Sequence, residues 1–164
     1  MNDLRIDPID HRALPIATRL HAVHMAAYAV EAELLGASYF PPLHCTVDDL
    51  RAAPHDYRAA FIGREMVGAI ATGLDEEGLG VNIASLVVAP AFHRRGVGRA
   101  LMAMVLRAQG QGGLTVQTGL KNLPALALYA QSGFIEVRRW PVGREPLTLV
   151  KLRRLSEGGL GEGR

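Results

Sequence analysis

A glycine-bearing turn between an apolar segment and a predicted helix is the part of this sequence best suited to chemistry. Residues 81–88 form a continuous apolar run that predicts a buried strand, and Gly96 and Gly98 follow it. Glycine allows close approach of the backbone to a ligand. The first amides of the next helix have no partner inside that helix and lie at the positive end of its dipole, which favours a phosphate or pyrophosphate.

Three arginines flank this turn. Arg94, Arg95 and Arg99 place guanidinium groups beside it, and arginine pairs well with phosphate oxygens. An ordinary strand–helix turn with solvated arginines would also account for these residues alone. Two common phosphate motifs do not fit, because the third glycine of the dinucleotide fingerprint is missing after Gly98 and the turn has no Walker A lysine.

Residues 86–102, LVVAPAFHRRGVGRALM, resemble motif A of the GCN5-related N-acetyltransferase (GNAT) superfamily. That motif is an apolar strand and a proline followed by Gln/Arg-x-x-Gly-x-Gly/Ala, and its positions fall on His93, Gly96 and Gly98. His93 departs from the usual glutamine or arginine. Since backbone amides do most of the pyrophosphate binding in that family, the departure is compatible with the resemblance.

Residues 122–134, NLPALALYAQSGF, resemble the second motif of the same family, Asn-x-x-Ala-x-x-x-Tyr-x-x-x-Gly-Phe. Its five fixed positions align without a gap, on Asn122, Ala125, Tyr129, Gly133 and Phe134. Taken alone, Asn122 fits a helix N-cap and Tyr129 a core aromatic. Two motifs in the family's order and separation make the resemblance specific over residues 81–134, and the order of predicted elements extends it more weakly over residues 4–152.

The resemblance implies acetyl-CoA as the co-substrate and no metal ion. Backbone groups of Leu86, Val87 and Val88 are expected to pair with the pantetheine arm, and the Val88 amide to donate to the thioester oxygen. Asn122 corresponds to a cofactor-contacting asparagine, and Tyr129 to the tyrosine that protonates the departing thiolate. The turn would hold the pyrophosphate through His93, Arg94, Arg95, Gly96, Val97, Gly98 and Arg99.

The implied reaction is direct transfer of an acetyl group to a primary amine, which must be neutral to attack. Where many family members carry a glutamate, this chain has Asn82 and Gln117, neutral amides that cannot act as bases. Glu31, Glu33 and His44 are alternative candidates, because that region lies over the acceptor site in the family. The assignment of the base stays open at this point.

The segment 36–46 is expected to shape the acceptor pocket. It contains Tyr39 and Phe40 followed by two prolines, and these aromatics suggest a partly apolar acceptor. Core packing would explain the same residues equally well. The expected acceptor is a small molecule or a peptide that carries an amine.

Hydrophobic periodicity and turn signals predict the elements that position these residues. Strands are expected at 4–9, 57–62, 66–72, 81–88, 114–118, 134–139 and 147–152, and helices at 11–35, 47–53, 99–109 and 124–131. The acidic, glycine-rich stretch 73–80 is predicted to be an exposed loop. This order indicates a mixed α/β (α+β) protein, and the resemblance implies the GNAT acyl-CoA N-acyltransferase fold, a central, mostly antiparallel sheet flanked by helices.

Composition places these elements in one domain. The 164 residues are 49% hydrophobic and 21% charged, which excludes a disordered chain, a collagen and a coiled-coil rod. We expect a single domain over residues 1–155 and a disordered tail over 156–164, where glycine is abundant.

Charge and targeting signals point away from nucleic acid and membrane partners. The net charge is only +2, and a solvated strand edge is the better explanation for the C-terminal arginines 138, 139, 144, 153 and 154. A single cysteine, Cys45, excludes an internal disulfide, and the acidic N-terminus is unlike a signal peptide. The longest uncharged run, 78–93, is too polar for a membrane span. We expect a cytoplasmic protein, with a homodimer compatible with the apolar closing strands.

Two alternatives to the enzyme remain. A module of the same fold could bind acyl-CoA without catalysis, since carboxylates are missing at Asn82 and Gln117, although the intact Tyr129 argues against it. A nucleic-acid-binding or ribosome-associated protein would need an exposed arginine stripe and strongly salt-dependent binding.

Overall fold

Seven strands and four α-helices make up the described part of the chain. The computed structural model describes residues 3–109, 112–143 and 147–155, so the predicted tail 156–164 lies outside the described residues. The elements are β1 (Leu4–Pro8), α1 (Leu14–Leu35), α2 (Val47–Ala52), β2 (Asp56–Ile62), β3 (Glu65–Leu74), β4 (Val81–Val88), α3 (Val97–Gln109), β5 (Leu114–Gly119), α4 (Leu123–Gln131), β6 (Ile135–Val142) and β7 (Leu147–Arg154), with short 3-10 helices at Pro41–His44 and Pro90–Phe92.

The strands form one sheet in the order β1-β2-β3-β4-β5-β7-β6. Every neighbouring pair is antiparallel except β4 and β5, which run parallel. One apolar cluster packs α3 and α4 on one face of the sheet, and a second packs α1 and α2 on the other. The predicted fold class, a mostly antiparallel mixed sheet flanked by helices, is confirmed.

The alternation of side chains along β3 separates the two clusters. Ala69 and Ala71 belong to the cluster under α1, whereas Ile70 between them belongs to the cluster under α3. This follows from the two-residue repeat of a strand, which directs neighbouring side chains to opposite faces. Both faces of β3 are therefore buried, and this strand lies inside the molecule beside the site strand β4.

Helix boundaries follow local capping chemistry. Thr46 caps the start of α2, because its hydroxyl accepts from the Asp49 amide while the Asp49 carboxylate accepts from the Thr46 amide. Helix α3 begins at Val97, two residues before the predicted start. Of the two glycines in the turn, only Gly96 has a positive φ, of 80°, whereas Gly98 is already helical.

The prediction of an exposed loop over residues 73–80 is wrong for Asp75, which is buried. Its carboxylate lies 2.8 Å from the Lys151 ammonium, and the two side chains are 3% and 2% exposed. Lys151 also donates to Glu77 at 2.6 Å. The acidic stretch is therefore held against β7 by a buried lysine, which composition alone could not indicate.

Candidate functional site

The parallel strands β4 and β5 separate after a short paired region. They pair from Val81 opposite Leu114 to Ile83 opposite Val116, although β4 continues to Val88. Beyond this region lies a groove of about 660 Å³, lined by the end of β4, the glycine turn, α3, α4 and the C-terminal half of α1. Because the groove opens along β4, only Ile83 and Val87 of that strand are buried, so the expectation of burial on both faces holds for only part of it.

The backbone of β4 presents free peptide edges to this groove. The amide of Ala89 donates to the carbonyl of Val67 on β3 at 2.8 Å. Peptide groups of neighbouring residues in a strand point to opposite edges. The amides of Leu86 and Val88 therefore point away from β3, towards the edge at which β5 no longer pairs with β4. The sheet thus offers an open edge where a ligand could replace the missing strand.

A hydrogen bond from His93 links the glycine turn to the end of this strand. Its Nε2 lies 3.1 Å from the Val88 carbonyl oxygen, and since a carbonyl only accepts, the imidazole is the donor. The turn also contains Arg94 in the left-handed region, with φ of 64°. The residue that departs from the family motif therefore has a local function in holding strand and turn together.

The turn exposes backbone donors at the start of α3. Within the described residues, no group accepts a hydrogen bond from the amides of Arg94, Arg95 or Gly96. The amides of Val97 and Gly98 belong to the first turn of α3, where a helix supplies no acceptors. This row of free donors at a positive helix end is suited to an anion.

The arginines differ in their orientation towards the groove. Arg94 and Arg99 line it, and Arg99 donates to Gln131 on α4 at 3.2 Å. Arg95 does not line it; its guanidinium stacks over the ring of Phe92 at 5.2 Å. All other residues predicted at the site line this one groove: Leu86, Val87, Val88, His93, Arg94, Gly96, Val97, Gly98, Arg99, Asn122 and Tyr129.

Gly98 keeps the middle of the groove open. A Cβ at this position would lie 3.6 Å from Leu128 and 3.7 Å from Val88, which is ordinary van der Waals contact. A methyl group would therefore fit, but a larger side chain would have to occupy the space between these two residues. The passage between β4 and α4 is about one side chain wide at this point.

Helix α1 closes the other end of the groove. Glycine at 119 lets Leu35 pack against the end of β5, since a Cβ there would overlap the Leu35 side chain. One helical turn earlier, the Glu31 carboxylate accepts from the Asn122 amide nitrogen at 2.5 Å. The Asn122 side-chain oxygen accepts from the Ala125 amide and caps α4, so this residue joins two elements across the sheet opening.

Glu31 has a perturbed environment. Burial raises the pKa of its carboxyl group, and the hydrogen bond from Asn122 only partly opposes this. Among the described residues that line the groove, it is the only acidic one. A carboxylate whose pKa is raised in a cleft is a stronger base than an exposed one and is suited to accept a proton from a ligand.

Two tyrosines lie near this carboxylate. Tyr129 is buried, and its hydroxyl makes no hydrogen bond within the described part of the chain. Burial, and next the charge of Glu31, raise the pKa of Tyr129. Burial and the charge of Glu31 also raise the pKa of Tyr28 on α1, and the nearby Tyr129 raises it further. Tyr28 and Glu31 therefore line the opening of the sheet from α1, and Tyr129 lines it from α4.

The other candidate bases lie elsewhere. Neither Glu33 nor His44 lines the groove. Asn82 lies at the paired end of β4 and β5, where its side chain is 3.0 Å from the Thr115 hydroxyl, and Gln117 is exposed. The segment 36–46 contributes no lining residue, although the ring of Phe40 contacts that of the lining residue Tyr28.

The resemblance placed Glu31 of α1 near the acceptor site, but sequence reasoning missed the apolar residues of this helix that lie beside it. Ala27, Val30 and Leu34 line the groove together with Glu31. Their helical spacing indicates a shared face but not what that face meets. Leu34 is 43% exposed, so it borders the groove instead of filling the core.

No helix in the described residues is long and apolar enough to cross a membrane. Nor do His, Cys, Asp and Glu side chains there form a group of three or more placed to hold a metal ion.

Comparisons with known proteins agree with this geometry. The Acetyltransferase (GNAT) family profile matches residues 19–134, more than half of the chain. The chain is 32% identical over 130 residues to the UPF0157 protein YqkA of Bacillus subtilis (strain 168), an alignment that covers 79% of this chain and 37% of that relative. It therefore spans little more than a third of the relative's length.

Solved structures show the same fold. The ribosomal-protein-S18-alanine N-acetyltransferase of Escherichia coli superposes with a TM-score of 0.72 at 16% identity, over 93% of this chain and 94% of that one. Salmonella typhimurium yncA, whose structure contains acetyl-CoA, gives 0.69 at 17% identity over 94% of each chain. With the family profile and the groove geometry, these similarities lead to one conclusion: the chain belongs to the acetyltransferase (GNAT) family.

Proposed function

We propose that this protein is an acetyl-CoA-dependent N-acetyltransferase that moves the acetyl group directly to a primary amine of a small molecule or peptide. The observation that carries the proposal is the single groove that joins the free amides of the glycine turn to the Glu31 carboxylate through the gap between β4 and β5. Such a reaction needs an anion site to bind the pyrophosphate of the donor and a proton acceptor to deprotonate the amine.

The residues present fit acetyl-CoA. The free amides from Arg94 to Gly98, with Arg94 and Arg99 beside them, would hold the pyrophosphate. The open edge at Leu86 and Val88 would pair with the amide groups of the pantetheine arm. The Val88 amide is then placed to donate to the thioester oxygen, where charge develops. Acetyl-CoA supplies the activated acetyl thioester.

Glu31 would prepare the amine. The bound ammonium ion transfers one proton to the Glu31 carboxylate, and the neutral nitrogen can then form the new C–N bond while the C–S bond breaks. The Tyr129 hydroxyl gives its proton to the departing sulfur, and the second proton lost by the nitrogen returns the tyrosine to its neutral form. The products are an N-acetyl amine and a free thiol, with the first proton left on Glu31.

The charge of Glu31, the proton acceptor, affects the pKa of Tyr129, the proton donor. Burial comes first among the causes that raise the pKa of Tyr129, and the negative charge of Glu31 comes second. When Glu31 takes a proton from the amine, that second cause disappears and the Tyr129 hydroxyl becomes a better donor to the thiolate. Deprotonation of the acceptor would therefore assist the departure of the thiol.

The test is turnover with the variant Tyr129→Phe. The Tyr129 hydroxyl has no hydrogen-bond partner among the described residues, so its removal should leave the fold and acetyl-CoA binding intact. We expect kcat to fall about 10²-fold or more, as for loss of a general acid. The measurement is thiol release from acetyl-CoA with a panel of primary amines, paired with a binding titration of acetyl-CoA.

The same experiment separates the enzyme from a binding module. Tight binding of acetyl-CoA by the unaltered protein without acetylation of any amine would refute the proposed reaction and favour a non-catalytic acyl-CoA-binding module. Equal kcat for Tyr129→Phe and the unaltered protein would remove Tyr129 from the mechanism but leave the activity.

A further inference from the structure

The side chains on the groove-facing side of α1 indicate which kind of acceptor the groove would bind. Ala27, Val30, Glu31 and Leu34 line the groove at spacings that place them on one side of the helix. Three of these side chains are apolar and one is a carboxylate. This end of the groove is therefore an apolar surface with a single negative charge set into it.

Charge is divided between the two ends of the groove. Arg94 and Arg99 line the end at the glycine turn, and the α1 end contains no arginine or lysine among the described lining residues. A carboxylate on the acceptor would thus approach Glu31 without a cation to receive it, and like charges in a partly buried site repel strongly. A second ammonium group would have no second carboxylate to pair with among the described lining residues, so its desolvation would cost free energy that no ion pair offsets.

The apolar part of this surface extends outward to the rim. Leu34 lines the groove and is 43% exposed at its border, and Val30 lines it one turn earlier on the same helix. Covering apolar area with a ligand is favourable. An acceptor with a hydrocarbon body gains from these side chains, whereas a heavily hydroxylated one does not.

We infer that the acceptor is a monoamine with an apolar body: one primary amine, no carboxylate and no second cation near it. This inference rests on the proposed function and narrows its substrate class. The ammonium group pairs with Glu31, and the hydrocarbon chain lies along Val30 and Leu34.

Four amines of equal chain length test the inference: hexylamine, 6-amino-1-hexanol, 1,6-diaminohexane and 6-aminohexanoate. We expect kcat/KM to be highest for hexylamine, and at least about tenfold lower for 6-aminohexanoate and for the diamine, a factor that corresponds to about 1.4 kcal/mol. The acetylated amine is measured by mass spectrometry alongside thiol release, so hydrolysis of acetyl-CoA is not mistaken for transfer.

Leu34→Ser separates apolar recognition from folding. Because Leu34 is exposed at the rim, the variant should fold normally, and KM for hexylamine should rise several-fold with little change in kcat. The KM for ethylamine, which is too short to reach the rim, should change much less. Glu33→Gln on the same helix, outside the groove, is the matched control and should leave all values unchanged.

The outcomes distinguish the two proposals. If 6-aminohexanoate or the diamine is acetylated as well as hexylamine, the inference about the acceptor is wrong while the acetyltransferase activity stands. An equal rise of KM for hexylamine and ethylamine in Leu34→Ser also contradicts it. If none of the amines is acetylated while acetyl-CoA binds, the proposed function fails and this inference fails with it.

Discussion

In the proposed reaction, Glu31 is the residue on which proton transfer from the acceptor depends. It is buried enough for its pKa to be raised, yet it borders the groove and shares a hydrogen bond with Asn122. That bond engages one carboxylate oxygen of Glu31 and so restrains the direction of the group; under the proposed function the other oxygen would accept from the amine. The same contact ties α1 to the start of α4 across the opening of the sheet.

The variant Glu31→Gln should lose the base but keep the contact with Asn122, because glutamine has the same shape and an amide oxygen that accepts. We expect kcat/KM to fall about 10²-fold. In the unaltered protein, kcat/KM should decline as the pH falls through the pKa of Glu31, at a pH above the ordinary glutamate value because burial raises that pKa. The variant should lack this acidic decline.

The measurement is kcat/KM between pH 5 and pH 9 with one amine. Glu33→Gln, an exposed carboxylate on the same helix, serves as control and should reproduce the unaltered profile. An acidic limb that persists unchanged in Glu31→Gln would assign the proton acceptor to another group.

Residues of the glycine turn and of α4 could be assigned to one site from the sequence because each set belongs to a contiguous motif. Gly96 acts through its own backbone, and Tyr129 stands at a fixed helical distance from the Asn122 cap. Glu31 could not be separated from Glu33 and His44, since its selection depends on a contact with Asn122, 91 positions away in the chain. Nothing in the local pattern of α1 predicts which of its faces meets that residue.

At the level of elements, the start of α3 decides the width of the groove. Gly98 lies in its first turn with Val88 and Leu128 on either side. Gly98→Ala should fit and, because alanine favours helices, should leave thermal stability equal or slightly higher. Gly98→Leu should fold but block the passage, and its affinity for acetyl-CoA should fall at least about tenfold by calorimetric titration.

The alanine variant is the matched control for the leucine variant. Equal affinity of the two for acetyl-CoA would mean that the ligand does not pass between β4 and α4. Loss of folding in both, seen by circular dichroism, would show that glycine is needed there for packing and not for access.

Element types were predictable where a local signal exists, and the partners of these elements were not. A continuous apolar run predicted β4 with the bounds that it has, and the predicted start of α2 at residue 47 agrees with the structure. At the end of α1, Leu34 is exposed and its neighbour Leu35 is buried, because glycine at 119 admits the Leu35 side chain. That contact is tertiary, and a helical repeat of 3.6 residues does not distinguish adjacent positions at the edge of an apolar face.

At the level of the whole molecule, a buried charge cluster joins the two halves of the sheet. Lys151 on β7 contacts Asp75 after β3 and Glu77, and the Thr115 hydroxyl on β5 is 2.9 Å from Asp75. This cluster lies at the end where β4 and β5 are paired, away from the groove. Its position keeps the sheet closed at one end while the other end stays open.

Lys151→Met should destabilise the protein by roughly 3–5 kcal/mol in urea denaturation, since it leaves a buried carboxylate without its partner. The double variant Lys151→Met, Asp75→Asn should cost less than Lys151→Met alone, because no buried charge is left unpaired. Lys121→Met, at the other lysine, which is exposed, is the control and should be nearly neutral. Equal effects at both lysines would show that the cluster does not contribute to stability.

The same cluster gives a pH dependence. Burial alone would raise the pKa of Asp75, but hydrogen bonds from Lys151, Leu79, Thr115 and Glu77 outweigh it and lower the pKa to about 2. A lowered carboxyl pKa stabilises the fold above the unfolded value near 4, and this contribution is lost as the pH falls towards 2. Asp75→Asn should weaken this part of the acid dependence when unfolding is followed between pH 5 and pH 2; an unaltered acid dependence would contradict it.

The short pairing of β4 with β5 has a consequence for cooperativity. Strands β1 to β4 form one hydrogen-bonded ladder and β5, β7 and β6 another, and they meet only from Val81 to Ile83 on the β4 side. Because so few backbone hydrogen bonds join the two ladders, we expect them to open partly independently in the native state wherever the contact of Asp75 with Lys151 does not hold them together. Under the proposed function, acetyl-CoA bound along the open edge of β4 would add contacts between the two ladders and should make their unfolding more cooperative.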